Sequence, residues 1–259
     1  MTLTDQMTAL KTILIKEVLR FSRIWVQTIL PPAITMALYF VIFGKLIGSA
    51  IDTSATDGYS YIDYIVPGLI MMSVITNSYS NVVSSFYSAK YQGHIQELLV
   101  SPTPNTIILI GFIGGGVIRG LMVGAIVTLV SLFFTDMDVQ HPFLTVITLF
   151  LTSVLFATAG LINAVYAKSF DDISIVPVFV LTPLTYLGGV FYSIKLLSPF
   201  WQTMSLVNPV LYMVNGFRYG ILGVSDISIY ISLAIILIFI VILFSIAYFL
   251  LDKGVGIRS

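Results

Sequence analysis

The sequence predicts an all-α polytopic membrane protein: six transmembrane helices, an N-terminal amphipathic interfacial helix, and a re-entrant helical hairpin between the fifth and sixth spans. Three observations carry this. First, 58% of the 259 residues are apolar and 9% charged, with a mean hydropathy of +1.02, whereas soluble chains carry about 25% charged residues. Too little polar surface is left to wrap a soluble core. Second, apolar stretches recur at residues 24–47, 64–88, 107–134, 142–166, 173–189 and 227–251, each reaching or approaching the ~20 residues that cross ~30 Å of hydrocarbon. Third, proline and glycine cut the apolar, aromatic run at 181–223 into pieces too short to cross.

In chain order, residues 1–23 form the interfacial helix. Asp5, Thr12, Lys16, Arg20 and Arg23 fall on one helical face, while Leu3, Met7, Leu10, Leu14, Val18, Phe21 and Trp25 fall on the opposite one. The cationic face meets anionic headgroups, either alone or with a cytoplasmic subunit as well. Pro31 and Pro32 kink the first span or mark its true start. The loop at 89–106 carries a short polar helix that Pro102 and Pro104 terminate, turning the chain back toward the membrane. The hairpin at 190–223 is divided by Gly188 and Gly189, Pro199, Asn208 and Pro209, and Gly216. Its pieces of about a dozen residues, ~18 Å as helix, cannot span. Such backbone survives at membrane depth only inside protein or beside a watery cavity.

Orientation follows from the basic residues. Lys11, Lys16, Arg20, Arg23, Lys90, Lys168, Lys253 and Arg258 fall on one side, and Lys45, Lys195 and Arg218 on the other, so both termini are expected to be cytoplasmic. Asp52, Asp57, Asp136, Asp138 and Asp226 then face outward.

The sequence argues against several functions. Zero net charge and the lack of a basic run point away from nucleic acid. There is no cysteine, and His94 and His141 lie in different inter-helix loops with no His/Asp/Glu cluster near them, so no metal site is expected. No phosphate-binding loop or metalloprotease motif occurs, and no catalytic set or resident cofactor is expected. Gly111, Gly114, Gly115, Gly116, Gly120 and Gly124 lie inside the third span, where small-xxx-small spacing lets another helix approach.

Arg119 lies near the middle of that span, where arginine costs about 2.5–3.5 kcal/mol to insert. No Asp or Glu lies inside any predicted span, and Asn77 and Asn81 of the second span come nearest in depth. Arg119 therefore either faces a water-filled lumen or snorkels and fixes helix packing. A channel or secondary transporter using Arg119 as its site is the alternative reading, and a lipid-modifying enzyme is disfavoured for want of a nucleophile.

Several stretches resemble one family closely. They are Glu97-Leu98-Leu99-Val100-Ser101-Pro102, the glycine-rich third span with Arg119, Phe170-Asp171-Asp172, the run from Pro183 to Tyr192, Asn208-Pro209-Val210-Leu211-Tyr212, and Phe217-Arg218-Tyr219. Together they resemble the ABC-2 type transporter permeases, in their YadH-like inner-membrane branch, essentially end to end. The resemblance implies a bacterial inner-membrane exporter subunit that is not itself an enzyme. Two copies would form the pathway, with two copies of a separate ABC ATPase binding ATP and Mg²⁺ below. Glu97, Leu98, Leu99 and His94 would lie on the coupling helix that meets the ATPase. Phe191, Tyr192, Phe200, Trp201, Tyr212, Phe217 and Tyr219 would form the outer gate or its lining, with packing or an interfacial aromatic belt open for each.

Overall fold

The computed structural model describes residues 2–48, 56 and 58–256, and every regular element among them is helical. Asp52, Asp57 and Arg258 lie outside the described residues. Helix α1 (Leu3–Arg23) opens on a reciprocal cap in which the Thr2 hydroxyl accepts from Asp5 N–H while the Asp5 carboxylate accepts from Thr2 N–H. Helix α2 (Trp25–Tyr39) contains Pro31 and Pro32 and runs on through a π-helical stretch, Phe40–Ile47. Next come α3 (Tyr61–Tyr91), α4 (His94–Val100), α5 (Asn105–Ser131) and α6 (Pro142–Tyr166). The fifth apolar stretch is α7 (Asp172–Val176), a π turn (Pro177–Leu181) and α8 (Thr182–Leu187). Helices α9 (Pro199–Val207), α10 (Pro209–Leu222) and α11 (Ile229–Lys253) complete the chain.

Among the described residues four helices are long and apolar enough to cross a membrane: Trp25–Gly44, α5, α6 and α11. The 31-residue α3 is not one of them. Its composition has a structural cause: α3 is packed between α5 and α6, with α10 against its first half, so most of its circumference meets protein rather than lipid. Asn77, Asn81, Ser73, Ser78 and Ser85 are all buried in it. By contrast α11, exposing Ile231, Leu237, Ile238, Val241 and Phe249, is apolar nearly all round.

Close approach between helices is bought with glycine. The α5 stripe serves two directions: Gly111, Gly114 and Gly115 face Ile13, Leu14 and Glu17 of α1, while Gly116 and Gly120 face Ser78 of α3. A Cβ on Gly160 of α6 would lie 2.6 Å from the Tyr79 carbonyl oxygen of α3. Helix α1 is therefore seated on α5 through Ile13, Glu17 and Phe21, all buried, while Leu3, Met7, Leu19 and Trp25 stay exposed. The predicted apolar face supplies only Phe21 of that buried set.

Helices α9 and α10 meet at Asn208. Its side-chain oxygen accepts from Val210 N–H at 2.9 Å, capping α10, and its amide donates to the Leu184 carbonyl at 2.6 Å. Proline begins each helix, and Gly223, at φ 73°, ends α10. Helix α10 is almost wholly buried, whereas α9 is exposed along most of its length.

Candidate functional site

The surface of α3 carries a stripe at four-residue spacing. Thr76 is exposed, and Ser80, Ser84 and Ser88 are half-exposed, while the residues between them are buried. Beside this stripe stand two arginines from different helices. Arg119 of α5 donates through Nη2 to Asn77 Oδ1 at 3.3 Å, and the Asn77 amide donates in turn to the Ser73 carbonyl at 3.0 Å. Arg20 of α1 donates through Nη2 to Asn81 Oδ1 at 2.6 Å and to the Asn81 carbonyl at 2.9 Å. Its Nη1 reaches Ser84 Oγ at 3.5 Å. The two arginines thus bind amides four residues apart on α3.

The carboxylate missing from the predicted spans comes from α1. Glu17 is fully buried; its Oε2 pairs with Arg20 Nε at 3.4 Å, and its Oε1 accepts from Ser85 Oγ at 2.6 Å. Of the two amides expected near Arg119, Asn77 takes that role and Asn81 serves Arg20 instead. Sequence reasoning missed Glu17, although its position four residues after Ile13 and four before Phe21 places it on their stripe. It also missed Thr76, Ser80, Ser84 and Ser88, whose regular spacing was the available signal.

Beyond the C-terminal end of α3, α4 stands on a braced base. Lys90 Nζ donates to the Val165 carbonyl at 2.6 Å and the Ala167 carbonyl at 2.8 Å, satisfying free acceptors at the end of α6. Phe170 packs edge-on to Tyr87 at 4.9 Å and to Tyr91 at 5.5 Å. The Asp172 carboxylate accepts from the backbone N–H groups of Lys168 and Ser169, the first of these contributing most to holding it below the usual carboxylate range. On α4 itself His94 and Glu97 are exposed, Leu98 and Leu99 are half-buried against the core, and Ile95 is fully buried. The freest apolar side chains here are Val100 and Tyr91, 87% and 71% exposed.

The seven aromatics named from the sequence do not form one cluster. Phe191 joins Tyr39, Phe43 and Tyr186, with ring centroids 6.0, 5.1 and 5.7 Å away. Tyr192 is half-buried in the same loop. Tyr212 and Phe217 are buried in α10, and the Tyr212 hydroxyl donates to the Leu206 carbonyl at 2.6 Å, tying α10 to α9. Tyr219 stacks on His141 at 4.9 Å. Phe200 and Trp201 pack on each other on exposed α9.

Two further polar groups fasten this region. Arg218, fully buried, donates to the Gly189 carbonyl at 2.7 Å and the Tyr64 carbonyl at 3.3 Å, with its guanidinium 4.1 Å from the Tyr64 ring centroid. Asp226 accepts from Ser193 Oγ at 2.6 Å and Ile194 N–H at 3.1 Å, and pairs with Lys195 at 3.5 Å.

The ABC-2 type transporter family matches residues 8–222. Inner membrane transport permease YadH of Escherichia coli K12 is 57% identical over 251 residues, covering 97% of each chain. More distantly, Nodulation protein J of Rhizobium leguminosarum bv. viciae is 22% identical over 215 residues, 82% of each chain, and that of Rhizobium meliloti 23% over 185 residues, 70% of each. By the extent of the family match and the end-to-end identity with YadH, this chain belongs to the ABC-2 type transporter family.

Proposed function

We propose that the chain is the membrane-spanning permease of an ATP-driven exporter in the bacterial inner membrane, working as a homodimer on a separate ABC ATPase that binds ATP and Mg²⁺. Six segments cross: α2, α3, α5, α6, the α7–α8 segment and α11. Both termini are cytoplasmic, α1 lies at the cytoplasmic interface, and α9–α10 form a re-entrant hairpin on the outer side. The observation that carries this reading is the α3 stripe. The Thr76 and Ser84 hydroxyls bond back to the Met72 and Asn81 carbonyls, so it is Arg119 beside the stripe, a mid-span charge, that requires water or protein in place of lipid. A second copy facing this stripe would enclose a polar path. Phe191, packed against the first span, is the best placed of the aromatics to move with that path.

The topology is tested with single cysteines in the cysteine-free chain and a membrane-impermeant thiol reagent on whole cells. Ser198→Cys is expected to label from outside and Ser101→Cys only after lysis. External labelling of Ser101→Cys would overturn the six-span arrangement.

Coupling is assigned to α4, whose braced base suits it to transmit motion as a rigid peg. Glu97 orients the docked ATPase through an ion pair, while Leu98 and Leu99 stiffen the peg from within. Glu97→Lys is expected to leave ATP hydrolysis by the partner intact in detergent, to lower transport in proteoliposomes, and to make assembly fall apart more readily as salt rises. Unchanged transport and unchanged partner retention would assign Glu97 to solvent alone.

A further inference from the structure

We propose that Arg119 and Arg20, with the α3 amide groups between them, bind the phosphate or carboxylate headgroup of an anionic amphiphile. This rests on the permease reading and assigns the substrate a chemical class. The charges do not balance locally: two guanidiniums face one carboxylate, and Glu17 is already committed to Arg20 and Ser85. Arg119 has only the Asn77 amide oxygen, at 3.3 Å, and its Nε has no partner. Asn81 Nδ2 and Ser78 Oγ belong to fully buried side chains and also have no partner. A buried cation whose one printed partner is an amide oxygen is stabilised by an anion rich in acceptor oxygens and repels a cationic guest.

The described residues of a second copy do not supply that anion: apart from Glu17, their Asp and Glu residues fall in connections, near helix ends, at the α1 start or on the short α4. The counter-ion must come from what is carried. Its apolar part has a place to lie, because Arg20 shares an open depression of about 620 Å³ on the surface of α1 with Ile15, Leu19 and Ile24, beside Lys16 and Arg23. Headgroup contacts and hydrocarbon contacts are thus offered by the same arginine.

The probe is dioleoyl phosphatidic acid, with dioleoylglycerol as its uncharged counterpart, and the readout is retention by the purified full chain in mild detergent, measured by native mass spectrometry. Wild type is expected to retain phosphatidic acid at least tenfold better than the glyceride. Arg119→Gln is expected to abolish that preference and Arg119→Lys to keep most of it. Asn77→Asp places a carboxylate beside Arg119, and is expected to raise the thermal midpoint while abolishing retention, which a merely structural arginine would not produce. Equal retention of the two lipids by wild type, or an unchanged preference in both Arg119→Gln and Asn77→Asp, would overturn the site. Equal stabilisation by millimolar inorganic phosphate would overturn the amphiphile in favour of a free anion. Binding is read without the ATPase: selective retention without ATP-driven transport counts against the exporter reading, and transport without anion preference against this site.

Discussion

Arg218→Ala is expected to yield a chain that still inserts but melts about 6–12 °C below wild type in detergent, from a loss of roughly 3 kcal/mol. Arg218 joins three segments that are distant in sequence: α10, the Gly189 carbonyl after α8, and the Tyr64 carbonyl at the start of α3. Alanine removes the Arg218 donor from the Gly189 carbonyl in a fully buried site and empties the space under the Tyr64 ring. Lysine keeps the charge but cannot span both acceptors as a planar fork does, so Arg218→Lys should fall between the two. Scanning fluorimetry on detergent-purified protein measures this. A midpoint within about 2 °C of wild type for the alanine variant would show that the strut is dispensable.

Gly115→Ala should cost transport at least tenfold while leaving the α3, α5 and α6 bundle assembled. A Cβ there would lie 2.5 Å from the Glu17 Cβ and 2.9 Å from its Cγ, so α1 must lift off α5. That movement pulls Glu17 from Ser85 and Arg20 from Asn81, both now joined at 2.6 Å. Gly114→Ala is the matched control, since its Cβ would meet only the end of the flexible Leu14 side chain, at 2.6 Å from Cδ2. Limited trypsin digestion distinguishes them: cutting after Lys11, Lys16 and Arg20 should accelerate in Gly115→Ala and stay at the wild-type rate in Gly114→Ala. Equal digestion and equal transport in the two variants would mean that α1 docking carries no function.

The sequence locates the helices well because length and apolarity are local properties. Ser60 and its partner Asp63 start α3 three residues earlier than hydropathy suggests, because a cap is made of polar residues that a hydropathy window discards. The polar site was half legible. Arg119 announces itself by cost, and Asn77 follows from depth. Glu17 does not, because grouping α1 by charge separates polar from apolar faces, whereas its docked face contains Ile13, Glu17 and Phe21 together. The aromatics were legible as a set but not as a place. Aromatic content says nothing about which side of a hairpin is covered, and α10 buries Tyr212 and Phe217 while α9 leaves Phe200 and Trp201 outside.

The polarity of α3 also bears on how the protein is made. A segment carrying Asn77, Asn81 and a succession of serines has little tendency to leave the translocon for lipid by itself. The helices that cover it, α5, α6 and α10, are all synthesised later, so the nascent chain must hold α3 at the translocon or its lipid boundary until they arrive. Biogenesis is then cooperative across most of the polypeptide. Defects at the glycines that receive α3, Gly116, Gly120 and Gly160, would surface in cells as quality-control proteolysis and low abundance before any finished molecule could be assayed.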